Sequence, residues 1–324
     1  RRGDAPHLRS VQRGRPGGAV SQEAPVFGRL GVAIVTPFTE DLQKVDHEAL
    51  AGLARHLVDE GHDLIVANGT TGESPTTSDE EKLAILATVR EAVGADVTLL
   101  AGAGTNDTRH SVALARAIEE GGNADGLLLA TPYYSKPTQR GLIAHTLEIV
   151  NAVDLPAMLY DIPGRSGIPI EYESAVELSQ HPNIVALKEA KGDMHEASKL
   201  IRDTGLDIYS GEDALNLPWL AIGAVGTVSV TSHLTGRLDR LMFDALEQRD
   251  LARAQRLHAS RIDFVDAIMN QGPGTMAIKE ALTHLGVLPH AGCRAPLGTV
   301  EPEVAARIHA AVDAYQSVLA QHTS

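Results

Sequence analysis

The stretch Gly126-Leu127-Leu128-Leu129-Ala130 is short and apolar throughout, and Leu64-Ile65-Val66-Ala67 has the same character. A strand with one face in water alternates apolar and polar side chains. A parallel strand that is covered by helices on both faces is apolar along its whole length. Both stretches therefore predict buried strands of a parallel sheet, and strands of this type decide the fold class.

Similar runs recur along the chain and alternate with longer stretches of helical periodicity. They are separated by 19 to 34 residues, the length of one strand and one helix, and they begin near Leu30, Asp63, Val97, Ala124, Pro156, Asn183, Leu206 and Val225. Eight successive units predict an α/β fold, a (β/α)8 TIM barrel. A doubly wound open sheet is the alternative, but eight units in succession favour closure of the sheet.

The chain divides into three predicted parts. Residues 1–27 are rich in Arg, Gly, Pro and Ser without apolar periodicity, which is typical of a disordered extension. Residues 28–232 contain the barrel pattern, and residues 233–324 have only helical patterns, which predict a C-terminal helical subdomain. Its predicted helices are Arg237–Gln248, Leu251–Asn270 and Pro302–Gln321.

Composition excludes several classes of function. The chain has 324 residues, and 28 basic against 42 acidic side chains give a net charge of −14, which argues against nucleic acid as a partner. The sequence contains no run of about 18 apolar residues, so no membrane span is predicted. Cys293 is the only cysteine, so no intrachain disulfide forms, which suits a reducing cytoplasm. The 14 histidines do not cluster, and no metal site is predicted.

Lys188 stands at the end of the apolar run Asn183–Leu187. Burying an ammonium is costly, so a lysine in an apolar pocket loses its proton more readily. The neutral amine can then attack a carbonyl and form a Schiff base. The alternative is a lysine that extends from the strand end to water. Lys191 is a second candidate amine, but its place in the loop predicts a solvated, protonated group.

Other predicted strand ends carry hydroxyl groups and an arginine, and in a barrel these ends hold the active site. Thr70-Thr71 lies between glycines and offers N–H and O–H donors to a small carboxylate. Tyr133-Tyr134 follows the fourth strand, and Tyr160 ends the fifth, with Arg165 placed to clamp a carboxylate. Each feature also has an ordinary structural explanation as a turn, a packing pair or a surface arginine. Together with Lys188, they predict a Schiff-base aldolase or lyase for a 2-oxo acid, with no cofactor.

Three segments resemble the signatures of one known family: Gly69-Thr70-Thr71-Gly72-Glu73-Ser74, Tyr160-Asp161-Ile162-Pro163-Gly164-Arg165 and Val185-Ala186-Leu187-Lys188-Glu189-Ala190. In this order they are similar to the dihydrodipicolinate synthase family of the pyruvate-dependent N-acetylneuraminate lyase superfamily. The resemblance runs from about Leu30 to the C-terminal helices. It implies a lyase that condenses pyruvate with L-aspartate 4-semialdehyde on the route to diaminopimelate and lysine. It also implies a homotetramer built from two tight dimers.

The resemblance implies a role for each matching residue. Lys188 forms the Schiff base with pyruvate, so that no separate cofactor or metal is needed. Tyr160, Thr70 and Tyr134 form a proton relay, in which Tyr134 reaches the site of a neighbouring subunit. Thr71 holds the carboxylate of pyruvate, and Arg165 holds that of the aldehyde. The residues implied to bind substrate are Thr71, Arg165, Gly211 and Val228.

Two other functions stay open. A 2-keto-3-deoxy sugar-acid aldolase of the same superfamily is the nearer one. Arg165 and the double threonine favour the synthase over the sialic-acid lyases, which usually have Ser-Thr at this point and lack the arginine. The second is a barrel that binds a 2-oxo acid without turnover.

The chain departs from the family's pattern where lysine binds in feedback-inhibited members. Those members carry His, His and Glu at the positions of Asp79, Lys82 and His110. Lys82 would place a cation beside a cationic ligand, and the glutamate that would meet the ligand's ammonium is lost. We therefore expect weak or absent inhibition by lysine. The positions that match the pattern are Ser74, Asn106 and Tyr133.

Overall fold

Eight parallel strands form a closed barrel in the computed structural model, which describes residues 24–323. Each strand pairs with the next along the chain, and the last pairs with the first. The predicted TIM barrel is therefore confirmed, and the open doubly wound sheet is wrong. The strands are β1 (Leu30–Ala33), β2 (Leu64–Ala67), β3 (Thr98–Gly102), β4 (Gly126–Ala130), β5 (Ala157–Asp161), β6 (Ile184–Glu189), β7 (Asp207–Ser210) and β8 (Gly226–Ser229).

Helices connect the strands and continue after the barrel. Ser78 and Glu81 form a capping box at the start of α2, and the aspartate side chains at 107 and 193 cap α3 and α7. None of the described helices combines the length and the apolar character needed to cross a membrane. They are α1 (His47–Asp59), α2 (Asp79–Val93), α3 (Thr108–Gly121), α4 (Gln139–Val150), α5 (Pro163–Ser166), α6 (Tyr172–Leu178), α7 (Met194–Thr204), α8 (Asn216–Ala221), α9 (Ser232–Glu247), α10 (Leu251–Ala259), α11 (Ile262–Met269), α12 (Gly274–His284) and α13 (Pro302–Thr323).

The buried apolar side chains form two clusters, one on each face of the closed sheet. Val32, Ile65 and Leu99 belong to the larger cluster, which the helices cover. Leu64 and Leu100 belong to the smaller cluster, which fills the inside of the barrel. Successive residues of a strand point to opposite faces, so a strand buried on both faces is apolar throughout, as the sequence predicted.

The predicted disordered extension falls largely outside the described residues. Of residues 1–27 only 24–27 are described, and among them Phe27 is buried in the cluster inside the barrel. The backbone N–H of Val26 donates to the carboxylate of Asp207 at 2.9 Å. The division into three parts stays a prediction, and its second boundary falls at the first turn of α9, which packs beside β1.

The single helix predicted over Leu251–Asn270 is wrong, because the structure has two helices there, α10 and α11. The chain turns at Arg261, whose side chain is almost fully buried. Its guanidinium donates to the carbonyl of Asp213 at 2.7 Å and lies 3.3 Å from the carboxylate of Asp239. Helical periodicity continues on both sides of this turn, so the sequence pattern gave no sign of it.

Candidate active site

A cavity of about 280 Å³ opens where the carboxyl ends of strands β2 to β5 meet. Barrel enzymes place their active sites at this end of the strands. Half of the eight predicted site residues contribute to its wall, and Lys188, Thr71, Gly211 and Val228 do not. The predicted site residues that line the cavity are Thr70, Tyr134, Tyr160 and Arg165.

Lys188 and Tyr160 lie side by side on neighbouring strands. They occupy the same register position of β6 and β5, and the lysine Nζ is 4.3 Å from the centre of the tyrosine ring. Lys188 is only 4% exposed, so it does not extend to water. Tyr160 belongs both to the cavity wall and to the cluster inside the barrel, so Lys188 lies directly behind a residue of the wall.

Gly211 leaves the space through which the side chain of Lys188 passes. A Cβ atom at this position would lie 2.9 Å from Cε of Lys188 and 2.8 Å from Cβ of Ala190. Such distances are too short for a real side chain, so only glycine fits here without a shift. Val228 is buried in the same inner cluster as Tyr160. Of the two residues implied to form the pocket wall, Val228 thus lies inside the barrel and Gly211 lies against the side chain of Lys188.

The loop Gly69–Ser74 forms a tight turn after β2. The N–H groups of Gly72 and Ser74 both donate to the carbonyl of Gly69, at 3.1 and 3.2 Å. Thr70 is half-buried and faces the cavity, whereas Thr71 is buried behind it. The turn thus places Thr70 in the cavity wall, with Thr71 next to it in the loop.

Tyr134 is 88% exposed at the rim of the cavity. Its φ of +75° lies in the left-handed region, which is uncommon for a bulky residue. Its N–H donates to the carbonyl of Ser166 at 3.3 Å. The backbone therefore holds a large aromatic side chain outward, away from the rest of the chain.

Arg165 lies on the short helix α5, directly after β5. Its side chain is exposed and contributes to the cavity wall. The cavity therefore has a cationic group at its outer part and Tyr160 at its inner part.

Lys191, the second candidate amine, is held by carboxylates. Its Nζ lies 3.0 Å from Asp161 and 2.6 Å from Glu196, and it donates to the carbonyl of Ile170. Burial by itself lowers the pKa of Lys191, but the negative charge of Asp161 and the bonds to both carboxylates outweigh it and raise the pKa. Burial raises the pKa of the neighbouring Glu189 to about 7. The predicted solvation of Lys191 is therefore wrong, because its side chain is only 13% exposed, and acidic partners rather than water favour its charged form.

Sequence reasoning missed the residue that fixes the end of β5. Thr131 directly follows β4, and its hydroxyl donates to the carbonyl of Tyr160 at 3.1 Å. Thr131 is buried and also lines the cavity. The sequence did contain a sign of this role: Thr131 is a polar residue at a strand end, directly before Pro132 and the tyrosine pair.

Comparisons with known proteins bear on this arrangement. Residues 26–315 match the model of the dihydrodipicolinate synthetase family. The chain belongs to this family. The match covers every strand of the barrel and ends within α13, so the predicted family is confirmed over nearly all described residues.

Relatives in the family are similar to the chain over most of its length. The 4-hydroxy-tetrahydrodipicolinate synthase of Kineococcus radiotolerans is 49% identical over 295 residues, 91% of this chain and 95% of that protein. The synthase of Corynebacterium aurimucosum is 50% identical over 81% of this chain and 86% of its own. Both names denote a lyase of diaminopimelate and lysine biosynthesis, and the predicted enzyme class is confirmed.

A solved structure of the family has the same fold. The enzyme of Cyanidioschyzon merolae, determined with lysine bound, superimposes with a TM-score of 0.86 at 37% identity. The alignment covers 90% of this chain and 98% of that one. Enzymes of the family need no metal or cofactor. Within residues 24–323, no three His, Cys, Asp or Glu side chains are grouped to hold a metal ion.

Proposed function

We propose that the chain condenses pyruvate with L-aspartate 4-semialdehyde to give 4-hydroxy-tetrahydrodipicolinate. The observation that carries this proposal is the buried pair of Lys188 and Tyr160 beside a cavity with hydroxyl groups and Arg165 in its wall. A primary amine, a phenol and a guanidinium in one cavity suit two substrates that each carry a carbonyl and a carboxylate.

The reaction begins with attack of the Lys188 amine on the C2 carbonyl of pyruvate. Loss of water gives an imine, and removal of a proton from the methyl carbon gives an enamine. The enamine carbon attacks the aldehyde carbon of the second substrate. The amino group of that substrate then adds to the imine, which closes the ring and returns Lys188 as the free amine. One water leaves overall, so the atoms balance.

The proposed proton relay is Tyr160, Thr70 and Tyr134. Tyr160 contacts the lysine directly, and its hydroxyl can transfer protons to and from the carbinolamine and the aldol oxygen. Thr70 faces the same cavity. The N–H groups of Gly72, Glu73 and Ser74 already donate within the turn. We propose that Thr71 and the N–H groups of Thr70 and Thr71 bind the carboxylate of pyruvate, and that Arg165 binds that of the aldehyde.

A homotetramer made of two dimers is part of the proposal. Tyr134 supports the homotetramer, because its aromatic side chain is 88% exposed at the cavity rim and is held outward by its backbone. A neighbouring subunit placed against this rim would receive the tyrosine and complete the relay. A cytoplasmic location also stays a prediction.

The test of substrate identity compares the condensation of pyruvate with different aldehydes. We expect turnover with L-aspartate 4-semialdehyde and much slower turnover with sugar-derived aldehydes, because Arg165 provides a charge for a carboxylate. A clear preference for the sugar-derived aldehydes would instead support the sugar-acid aldolase. Absence of turnover with any aldehyde, together with binding of pyruvate, would support the non-catalytic barrel.

We also propose that lysine inhibits the enzyme weakly or not at all. Lys82 is buried. Its Nζ donates to the carbonyl of Thr77 at 2.6 Å and lies 3.7 Å from the carboxylate of Asp79. Asp79 in turn bonds His110 at 2.8 Å. The groups at these positions therefore pair with one another, and Lys82 adds a positive charge that repels a cationic ligand.

Assays of turnover in the presence of lysine test this expectation. We expect full activity in sub-millimolar lysine, while the Cyanidioschyzon merolae enzyme, whose structure has lysine bound, serves as the comparison. The triple variant Asp79→His, Lys82→His and His110→Glu restores the pattern of inhibited members and is expected to gain sensitivity. Half-inhibition of the unmodified enzyme by sub-millimolar lysine would overturn the proposal.

A further inference from the structure

A buried ion pair joins the loop after β2 to the helix α12. Glu73 follows the two threonines of this loop, and Lys279 lies on α12, 206 residues further along the chain. Their side chains are 0% and 1% exposed. An ion pair without access to water needs full hydrogen bonding on both sides, because two charges have been removed from solvent.

Both partners are fully engaged. Glu73 accepts the lysine ammonium on Oε1 and the backbone N–H of Arg294, at 2.9 Å, on Oε2. The ammonium of Lys279 also donates to the carbonyl of Gly292 at 2.9 Å and lies 4.6 Å from the ring centre of Phe38. The pair therefore ties the loop to segments of the chain that pack against the barrel from outside.

The backbone of this loop has an unusual conformation at Glu73. Glu73 has a φ of +59°, in the left-handed region that non-glycine residues rarely adopt. Its N–H donates to the carbonyl of Thr70 at 3.1 Å, and the carbonyl of Gly72 accepts from the hydroxyl of Thr36 at 2.7 Å. A sparsely populated conformation persists only when the surroundings determine it, and it is found most often near functional sites.

We propose that Glu73 and Lys279 are positioning residues for the substrate carboxylate. The ion pair holds the turn so that Thr70 faces the cavity and the donors of the threonine pair converge on one carboxylate. This inference rests on the proposed function, in which that carboxylate belongs to pyruvate. A tie that only stabilised the fold would change the melting temperature without changing substrate binding.

The test uses the full chain with the double substitution Glu73→Gln and Lys279→Met. Removing both charges together leaves no unpaired buried ion. We expect the KM for pyruvate to rise by about tenfold or more, since misplaced donors lose binding and orientation. The KM for the aldehyde and the melting temperature are measured alongside, and the KM for the aldehyde is expected to change little.

A control removes a less buried ion pair from the opposite end of the barrel. Arg90 pairs with Asp125, which precedes β4, and the arginine also donates to the carbonyl of Asn123. The variant Arg90→Met/Asp125→Asn is expected to lose stability while both KM values stay unchanged. If the first double variant cannot fold, Glu73→Asp keeps the charge, shortens the reach, and is expected to raise the KM for pyruvate by a smaller factor.

The outcomes separate two failures. A folded Glu73→Gln/Lys279→Met variant, or a folded Glu73→Asp variant, whose KM for pyruvate stays within about twofold of the parent would overturn the positioning role. If the parent enzyme itself gives no pyruvate adduct on borohydride reduction, the proposed function is wrong, and this inference falls with it.

Discussion

Replacing Lys188 with methionine is expected to lower kcat/KM by at least about 10⁴-fold, because the enzyme loses the amine that forms the Schiff base. Methionine has nearly the same length and is apolar, so the packing inside the barrel is kept. Lys188 is 4% exposed and contacts Tyr160, and an apolar replacement suits that environment. Condensation assays with pyruvate and aspartate semialdehyde measure the loss.

Lys191→Met is the matched control for this substitution. It removes the other amine of the same segment, whose partners are Asp161 and Glu196 rather than the cavity. We expect it to lower the melting temperature, because Asp161 is left buried without its cation, and to keep the ability to form a pyruvate adduct. Substantial turnover by Lys188→Met, or loss of adduct formation in a folded Lys191→Met variant, would contradict the assignment.

Replacing Tyr160 with phenylalanine is expected to lower kcat by about 10²-fold to 10³-fold with a small change in KM. The ring beside the Nζ of Lys188 is kept, and only the hydroxyl is lost. Proton transfer during imine formation and aldol addition then lacks its nearest donor. Single-turnover measurements of adduct formation and of condensation show which step becomes slow.

Tyr209 provides the matched control, because it neighbours Lys188 in register on the other side, on β7. Its hydroxyl donates to the carbonyl of Gly28 at 2.8 Å and has no place in the relay. Tyr209→Phe is expected to lower stability and to leave kcat within about threefold of the parent. A kcat for Tyr160→Phe in that same range would remove Tyr160 from the relay.

The barrel could be predicted from the sequence because its cause is local. Each strand is short, apolar and followed by a helical stretch, as at Leu64–Ala67 and Gly126–Ala130. Eight repeats of that unit leave few ways to bury all the apolar faces. The polar residues at the strand ends, among them Thr70, Tyr160 and Lys188, then had to meet at one end of the barrel.

Two features could not be predicted from the sequence, because they depend on contacts between residues that are distant in the chain. The turn at Arg261 follows from its burial against Asp213 and Asp239, which no periodicity reports. The ion pair of Glu73 and Lys279 joins residues that are far apart in the chain. Glu73 belongs to one of the signature segments, but nothing in the sequence pattern pointed to Lys279 as its partner. Local patterns therefore predicted the strands and which polar residues stand at their ends, whereas the ties between the loops and the C-terminal helices depend on the three-dimensional fold.

The central claim is that the amine of Lys188 is the group that reacts with pyruvate. Reduction of the enzyme with borohydride in the presence of pyruvate, followed by digestion and peptide mass mapping, tests it most directly. The account predicts one adduct, on the peptide that contains Lys188 and assigned to that residue by fragmentation. Recovery of no adduct, or of an adduct on Lys191, would contradict it.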